Sequence, residues 1–268
     1  DKVQKNLLAI NTTPGVEDLE TVAITGDHGL TLFEYAPWGV IGSITPCTNP
    51  SETIINNGIS IIAGGNTVVF NPHPSAKKVS TFTVDLLNQA VLSAGGPPNL
   101  FTTIASPTIQ TAQDMMSHAD IKLLVVTGGP AVVKAAMKTG KRVVAGGPGN
   151  PPVVVDDTAD FEKAGRDIVK SSSFDNNIIC LIEKEIIATE KAADPLKKAL
   201  LNSGAVELSS YDARQLEKII LDDNHPNKNF VGKDIQFILK QIGINVDSSV
   251  RLAITETGPD HPFARIEM

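Results

Sequence analysis

Cysteine is nearly absent from this sequence: Cys47 and Cys180 are the two in 268 residues. Two thiols so far apart form no disulfide framework, which points to a reducing compartment. Aromatic residues make up 4% of the chain, too few for a base-stacking or carbohydrate-binding platform. Cations are also short: 23 Lys and Arg against 30 Asp and Glu leave a net charge of −7. Binding to a phosphate backbone draws on clustered cations that release counterions, so no nucleic acid is expected as a partner, and an anionic membrane surface is disfavoured. No apolar run approaches the roughly 18 residues of a membrane span. Residues 1–10 are charged and lack the apolar core of a signal peptide. The five histidines, His28, His73, His118, His225 and His261, show no metal-ligand spacing, so no metal is expected. Also missing are a G-x-G-x-x-G fingerprint, a G-x-S-x-G elbow and a P-loop.

What is present suits one large domain or two modest ones, with 41% hydrophobic and 20% charged residues. Short apolar runs alternate with helix-length amphipathic runs. Strands are expected at 40–45, 67–70, 100–105, 122–126 and 142–145. Helices are expected between them at 51–63, with Ser51 as cap, and at 75–93, 109–117 and 130–139. Such a β-α-β succession predicts a mostly parallel sheet covered on both faces, because parallel neighbours need crossovers. Ligands of such sheets lie at the carboxyl ends of the strands. Residues 21–36 alternate around Gly26-Asp27-His28-Gly29 and read as a β-hairpin outside the sheet. A Gly/Pro cluster over 146–152 marks a domain boundary. A second unit follows, with strands at 153–155 and 184–188 and helices near 160–172, 191–201, 213–221 and 232–242.

Chemistry could sit in three places. Thr127-Gly128-Gly129-Pro130 follows a strand and opens a helix. Its glycines permit close backbone approach and its helix N-terminus offers unpaired N–H groups to a pyrophosphate, although an ordinary tight turn reads the same way. Cys180 follows the polar run Asp175-Asn176-Asn177. The residue is either an inert small hydrophobe or a thiolate nucleophile, and the polar run suggests a tight turn that sets the sulfur at a helix start. Cys47, in a loop after a strand, competes for that role. Asn49 either donates to an oxyanion or makes an Asx-turn.

Five segments in register resemble the aldehyde dehydrogenase superfamily, and more narrowly its CoA-acylating branch: the propionaldehyde and acetaldehyde dehydrogenases of propanediol and ethanolamine utilisation. They are the runs at 42–50, 70–78, 127–130, 147–156 and 173–180. The resemblance implies an α/β fold with a Rossmann-type parallel sheet, a second α/β catalytic domain and a protruding hairpin arm. It divides the chain into an NAD-binding domain (1–20 and 37–150), an oligomerisation hairpin (21–36) and a catalytic domain (151–268) that is incomplete at its C-terminus. Cys180 would be the nucleophile, and Asn49 would form the oxyanion hole with the Cys180 N–H. Thr45, Pro46, Asn71, His73, Pro74, Thr127, Gly128, Gly129, Pro130 and Glu267 would contact the cofactor, with Asn71 and Glu267 near its riboses. The implied cofactor is NAD, the substrates are a short-chain aldehyde and coenzyme A, and the assembly is a homodimer or homotetramer. The implied setting is the cytoplasm, including the interior of a bacterial microcompartment. Family members extend before residue 1 and past residue 268, so the chain is expected to be part of a longer protein.

One departure bears on the reaction. Hydrolytic members carry a glutamate as general base for water, and Ala145 aligns with it here. A positioned base contributes about 10²–10⁴-fold, so without it acyl transfer to the thiol of coenzyme A is expected instead of release of an acid. Two other readings are a non-catalytic nucleotide- or CoA-binding module, and a hydrolytic semialdehyde dehydrogenase that takes its base from elsewhere.

Overall fold

The structure, a computed structural model, describes residues 1–147, 149–223 and 225–266. The chain divides into two compact units, Asp1–Gly147 and Pro148–Met268. The first unit opens with helix α1 (Lys2–Thr12), followed by strands β1 (Val22–Gly26) and β2 (Gly29–Phe33). These two strands pair as an antiparallel hairpin in which every residue is exposed. The hairpin's two-residue turn closes between Gly26 and Gly29, and Gly29 takes φ +147°.

Strands β3 (Val40–Thr45), β4 (Thr67–Pro72), β5 (Phe101–Thr103), β6 (Ile121–Thr127) and β7 (Arg142–Gly146) build the main sheet, all in parallel. Helices α2 (Pro50–Ala63), α3 (Lys77–Ser93), α4 (Ile109–Ser117) and α5 (Pro130–Met137) connect or flank them. The spatial order is β5-β4-β3-β6-β7. Counted along the sheet's own chain order this is 3-2-1-4-5, and the order reverses between β3 and β6. Each face of the sheet has its own core. Ile41, Val68, Phe70 and Phe101 pack against Ile54 and Ile61 of α2 and Val84 of α3. Ile44, Leu124 and Val126 pack against Ala112, Met115 and Met116 of α4 and Ala136 of α5. Burial of each large side chain contributes about 1.5–3 kcal/mol, which accounts for the near-continuous apolar strands.

The second unit runs β8 (Pro152–Val155), α6 (Phe161–Ser172), β9 (Glu185–Ala188), α7 (Glu190–Asn202), β10 (Ala205–Glu207), α8 (Ser210–Ile220), β11 (Leu221–Asp222), β12 (His225–Pro226), α9 (Ile235–Lys240), β13 (Leu252–Ile254) and α10 (Pro262–Arg265). β8 pairs with β9 and β10 with β13, both in parallel. Ile168 and Val169 of α6 and Leu196 and Leu200 of α7 form a core with Val155.

Several sequence expectations shift. Ser51 does not cap α2: Asn49 holds the N-cap position and Pro50 the first turn. Pro suits that position because its missing N–H would be unpaired there anyway. The helix expected from residue 75 begins as a 3-10 turn (Pro74–Ala76) before α3. The last expected helix, 232–242, shrinks to α9, because Gly232 takes φ +72° and stands outside the helical region. β10 and β13, three residues each, carry too little alternation to be read from the sequence.

Candidate functional site

Parallel pairing brings the carboxyl ends of the strands to one edge of the first unit. Thr45 ends β3 opposite Pro72 of β4, and the His73 N–H donates to Thr45 O at 3.0 Å. Thr127 ends β6 opposite Gly146 of β7, and the Gly128 N–H donates to Gly146 O at 3.1 Å. Thr45, Pro46, Asn71, His73, Pro74 and Thr127 through Pro130 therefore all lie along this edge, at and beside the strand-order reversal where open α/β sheets take their ligands.

It is the glycine backbone of the edge, not its buried side chains, that fits a phosphate-bearing ligand. Thr45 is 1% exposed, and its Oγ1 has no hydrogen-bond partner among the described residues. A buried hydroxyl without a partner costs about 1–3 kcal/mol, and the surrounding protein closes this one off from any ligand. Gly129 is the N-cap of α5, and a Cβ placed on it, or on Gly146 or Gly147, would meet no described atom within 4 Å. Backbone at these positions is therefore open to close approach. None of Gly128, Gly129, Gly146 and Gly147 adopts positive φ, so the turn does not need glycine for its conformation. Gly128 packs tightly instead: a Cβ there would lie 2.8 Å from Cγ1 of Val132.

Other residues of the edge have local partners. Asn71 is buried, and its Oδ1 accepts from Thr111 Oγ1 at 2.8 Å, tying β4 to the first turn of α4. The sequence reading missed Thr111, which also completes a capping box with Thr108. The His73 Nδ1 accepts from the Ser75 N–H at 3.2 Å and lies 2.7 Å from Ser75 Oγ, so the imidazole caps the 3-10 turn that Pro74 opens. Asn49 does not cap α2 with its side chain. Its Oδ1 accepts from Thr48 Oγ1 at 3.1 Å, while its backbone carbonyl accepts from the Thr53 N–H and Oγ1 at 3.1 and 2.8 Å. Its Nδ2 has no acceptor among the described residues, which leaves a half-buried amide donor at the start of a helix. Cys47 is exposed in the same loop.

Cys180 lies in the second unit and is half-buried. Asp175, Asn176 and Asn177 precede it at φ 51°, 52° and 59°, three successive left-handed residues. Asn and Asp tolerate this conformation best among residues with a Cβ. The expected tight turn is present, but no helix begins at Cys180: the chain turns again and enters β9. The sulfur therefore does not sit at a helix N-terminus. A Cβ on Gly149 would stand 3.4 Å from the Cys180 carbonyl oxygen, so Gly149 lies against this turn. Downstream of β8, Asp156 accepts from the Thr158 N–H and Oγ1 at 2.9 and 2.6 Å, which hold its carboxyl below the usual carboxylate range. Glu267 lies outside the described residues. Among the described residues no cluster of three or more His, Cys, Asp or Glu could hold a metal ion, and no helix is long and apolar enough to cross a membrane.

A five-stranded parallel sheet with helices on both faces and a glycine-lined edge at its strand-order reversal defines an α/β protein of the Rossmann type. The chain belongs to the aldehyde dehydrogenase family, which residues 9–210 match. It is 52% identical over its whole length to the acetylating acetaldehyde dehydrogenase EutE of Salmonella typhimurium, covering 59% of that protein. It superimposes with a TM-score of 0.94 on the Rhodopseudomonas palustris propionaldehyde dehydrogenase crystallised with bound CoA and an acylated cysteine, at 48% identity over 99% of this chain and 61% of that one. The propionaldehyde dehydrogenase of the Clostridium phytofermentans fucose utilisation bacterial microcompartment gives the same TM-score, identity and coverage. The chain thus spans about three fifths of the length of the relatives it matches.

Proposed function

We propose that this chain carries the cofactor sheet and the nucleophile of an enzyme that converts a short-chain aldehyde to an acyl-CoA. Cys180 attacks the aldehyde carbonyl as a thiolate and forms a thiohemiacetal. The amide of Asn49, with the Cys180 N–H, stabilises the developing oxyanion; one such donor contributes about 3–4 kcal/mol. NAD, when bound, would supply the acceptor for the hydride that the thiohemiacetal on Cys180 loses. Thr45, Pro46 and Thr127 through Pro130 would hold its phosphates, with Asn71, His73 and Pro74 toward the adenosine and Glu267 toward the nicotinamide ribose. The open glycine positions support this assignment. Coenzyme A then takes the acyl group from Cys180. The hairpin of β1 and β2, with exposed Val22, Ile24, Leu30, Leu32 and Phe33, serves homo-oligomerisation. The proposed setting is the cytoplasm, including the interior of a bacterial microcompartment.

The observation that carries the choice of thiol over water is the end of β7. Ala145 is exposed there, and residues 143–155 contain no titratable side chain. No general base for water can come from this segment.

The test is intact mass spectrometry after mixing with propionyl-CoA, with the adduct located by peptide mapping. A propionyl group is expected on Cys180, abolished by Cys180→Ala and retained in Cys47→Ala. An adduct on Cys47 would move the nucleophile. Bound nucleotide or CoA without any adduct would favour a non-catalytic binding module.

A further inference from the structure

Outside the roles assigned above, the second unit contains a network of side chains that converges on the turn bearing Cys180. Three successive left-handed residues, none of them glycine, are unfavourable on their own. Such a segment persists only where its surroundings hold it. Asn176 Nδ2 fastens the outer part of the turn, donating to Gly232 O at 3.1 Å and to Asp234 Oδ1 at 2.9 Å, and the ammonium of Lys184 holds the part next to Cys180. Its Nζ donates to Asn177 O at 2.9 Å, to Asn177 Oδ1 and to Ile179 O at 3.4 Å. An ammonium has three protons and no acceptor, so it suits a nest of carbonyl oxygens. One of those oxygens belongs to the residue immediately before Cys180.

Bonds on either side of Lys184 fasten the same segment to two other places. Glu183 Oε2 accepts from Ser171 Oγ at 2.5 Å, at the end of α6. Glu185 Oε1 accepts from Asn150 Nδ2, and the Lys184 N–H donates to Pro151 O at 3.0 Å, both on the segment that leads into β8. Asn177 Nδ2 donates to Ser172 O at 2.6 Å and to Glu183 O at 3.3 Å, closing the network on itself.

We propose that Lys184 is a positioning residue for Cys180: its ammonium gathers the carbonyls of the turn, while Glu183 and Glu185 anchor that ammonium's own strand to α6 and to the Asn150 segment. The inference rests on the reading of Cys180 as the nucleophile. In this arrangement Lys184 does not touch the substrate. It fixes where the sulfur and the Cys180 N–H stand, and a misplacement of about 1 Å at a reacting group can cost about 10²-fold in rate.

Two measurements test this in a Cys47→Ala background, where Cys180 is the single thiol. Amide hydrogen exchange reads the turn without calling on any activity. Lys184→Met is expected to speed exchange over 175–184 by about tenfold or more while α7 stays protected. Acylation of Cys180 by propionyl-CoA reads the consequence. The limiting rate is expected to fall about 10²-fold with the half-saturating concentration unchanged within about twofold. Propylammonium added to Lys184→Ala should recover part of the rate. If Lys184→Met fails to fold, Lys184→Gln keeps N–H donors and should show the same changes to a smaller extent. Unchanged exchange over 175–184, or a loss that lies in half-saturation alone and ignores propylammonium, overturns the proposal. No acylation in the unaltered chain would instead refute Cys180 as the nucleophile, and the exchange result would still decide whether Lys184 holds the turn.

Discussion

Lys5 and Glu52 join α1 to α2 through a 3.1 Å ion pair whose side chains are 6% and 11% exposed. Two charges this deep are stable only together, because each alone would be a desolvated ion. Lys5→Met should therefore lower unfolding stability by about 3–5 kcal/mol in urea titration, whereas Lys5→Met with Glu52→Leu should recover most of it. Equal losses in the single and double variants would show that the pair contributes nothing of its own. Neither residue stands out in the sequence, where each is one charge on an amphipathic helix. Asn66 was legible only in part. Its position after Gly64 marks the end of a helix, but its four bonds do not show in the sequence. Its Oδ1 accepts from the Trp38 and Gly39 N–H groups at 2.6 and 3.0 Å, and its Nδ2 donates to Ile61 O and Gly64 O at 3.2 and 3.0 Å. A single amide thus ties the end of α2 to the start of β3, which is a tertiary fact.

At the level of elements, α6 and α7 approach through Gly165. A Cβ there would stand 2.7 Å from both the carbonyl carbon and the Cβ of Ala199, and 2.9 Å from its carbonyl oxygen. Much of this obstacle is backbone and cannot swing away. Alanine gains about 1 kcal/mol in helix propensity over glycine, and overpacking costs about 1–3 kcal/mol. Gly165→Ala should therefore destabilise the chain by up to about 2 kcal/mol, read as a lower thermal midpoint, and a rise in that midpoint would contradict the close approach. The elements themselves were legible wherever period and punctuation agreed. All five strands of the main sheet and its four helices fall within a few residues of the expected spans. The misses follow from local physics. Pro50 extends α2 by a turn position that Ser51 was expected to cap, and the left-handed Gly232 shortens α9.

For the whole molecule, the sheet order gathers Thr45, Asn71 and Thr127 on one edge although they lie far apart in the chain. That convergence was legible because a β-α-β run dictates parallel strands, and parallel strands share a carboxyl end. The absence of a helix behind Cys180 and the Lys184 network were not legible, since the left-handed turn and its carbonyl nest depend on contacts distributed over residues 149–234. The proposed reaction rests on what β7 leaves out. Water is a far weaker acid than a free thiol, so only water needs a strong base beside the thioester. With Ala145 near the end of β7 and no titratable side chain over 143–155, attack by water lacks the roughly 10²–10⁴-fold that a positioned base contributes, and coenzyme A should outrun it. Incubation with propanal and NAD should accordingly yield propionyl-CoA when coenzyme A is present, and propionate no faster than about one hundredth of that rate when it is absent. Ala145→Glu restores a carboxylate where hydrolytic members keep one, and should raise the CoA-independent acid rate. Rapid propionate formation by the unaltered protein would mean that a base from another part of the molecule reaches the thioester, and the assignment would pass to a hydrolytic dehydrogenase.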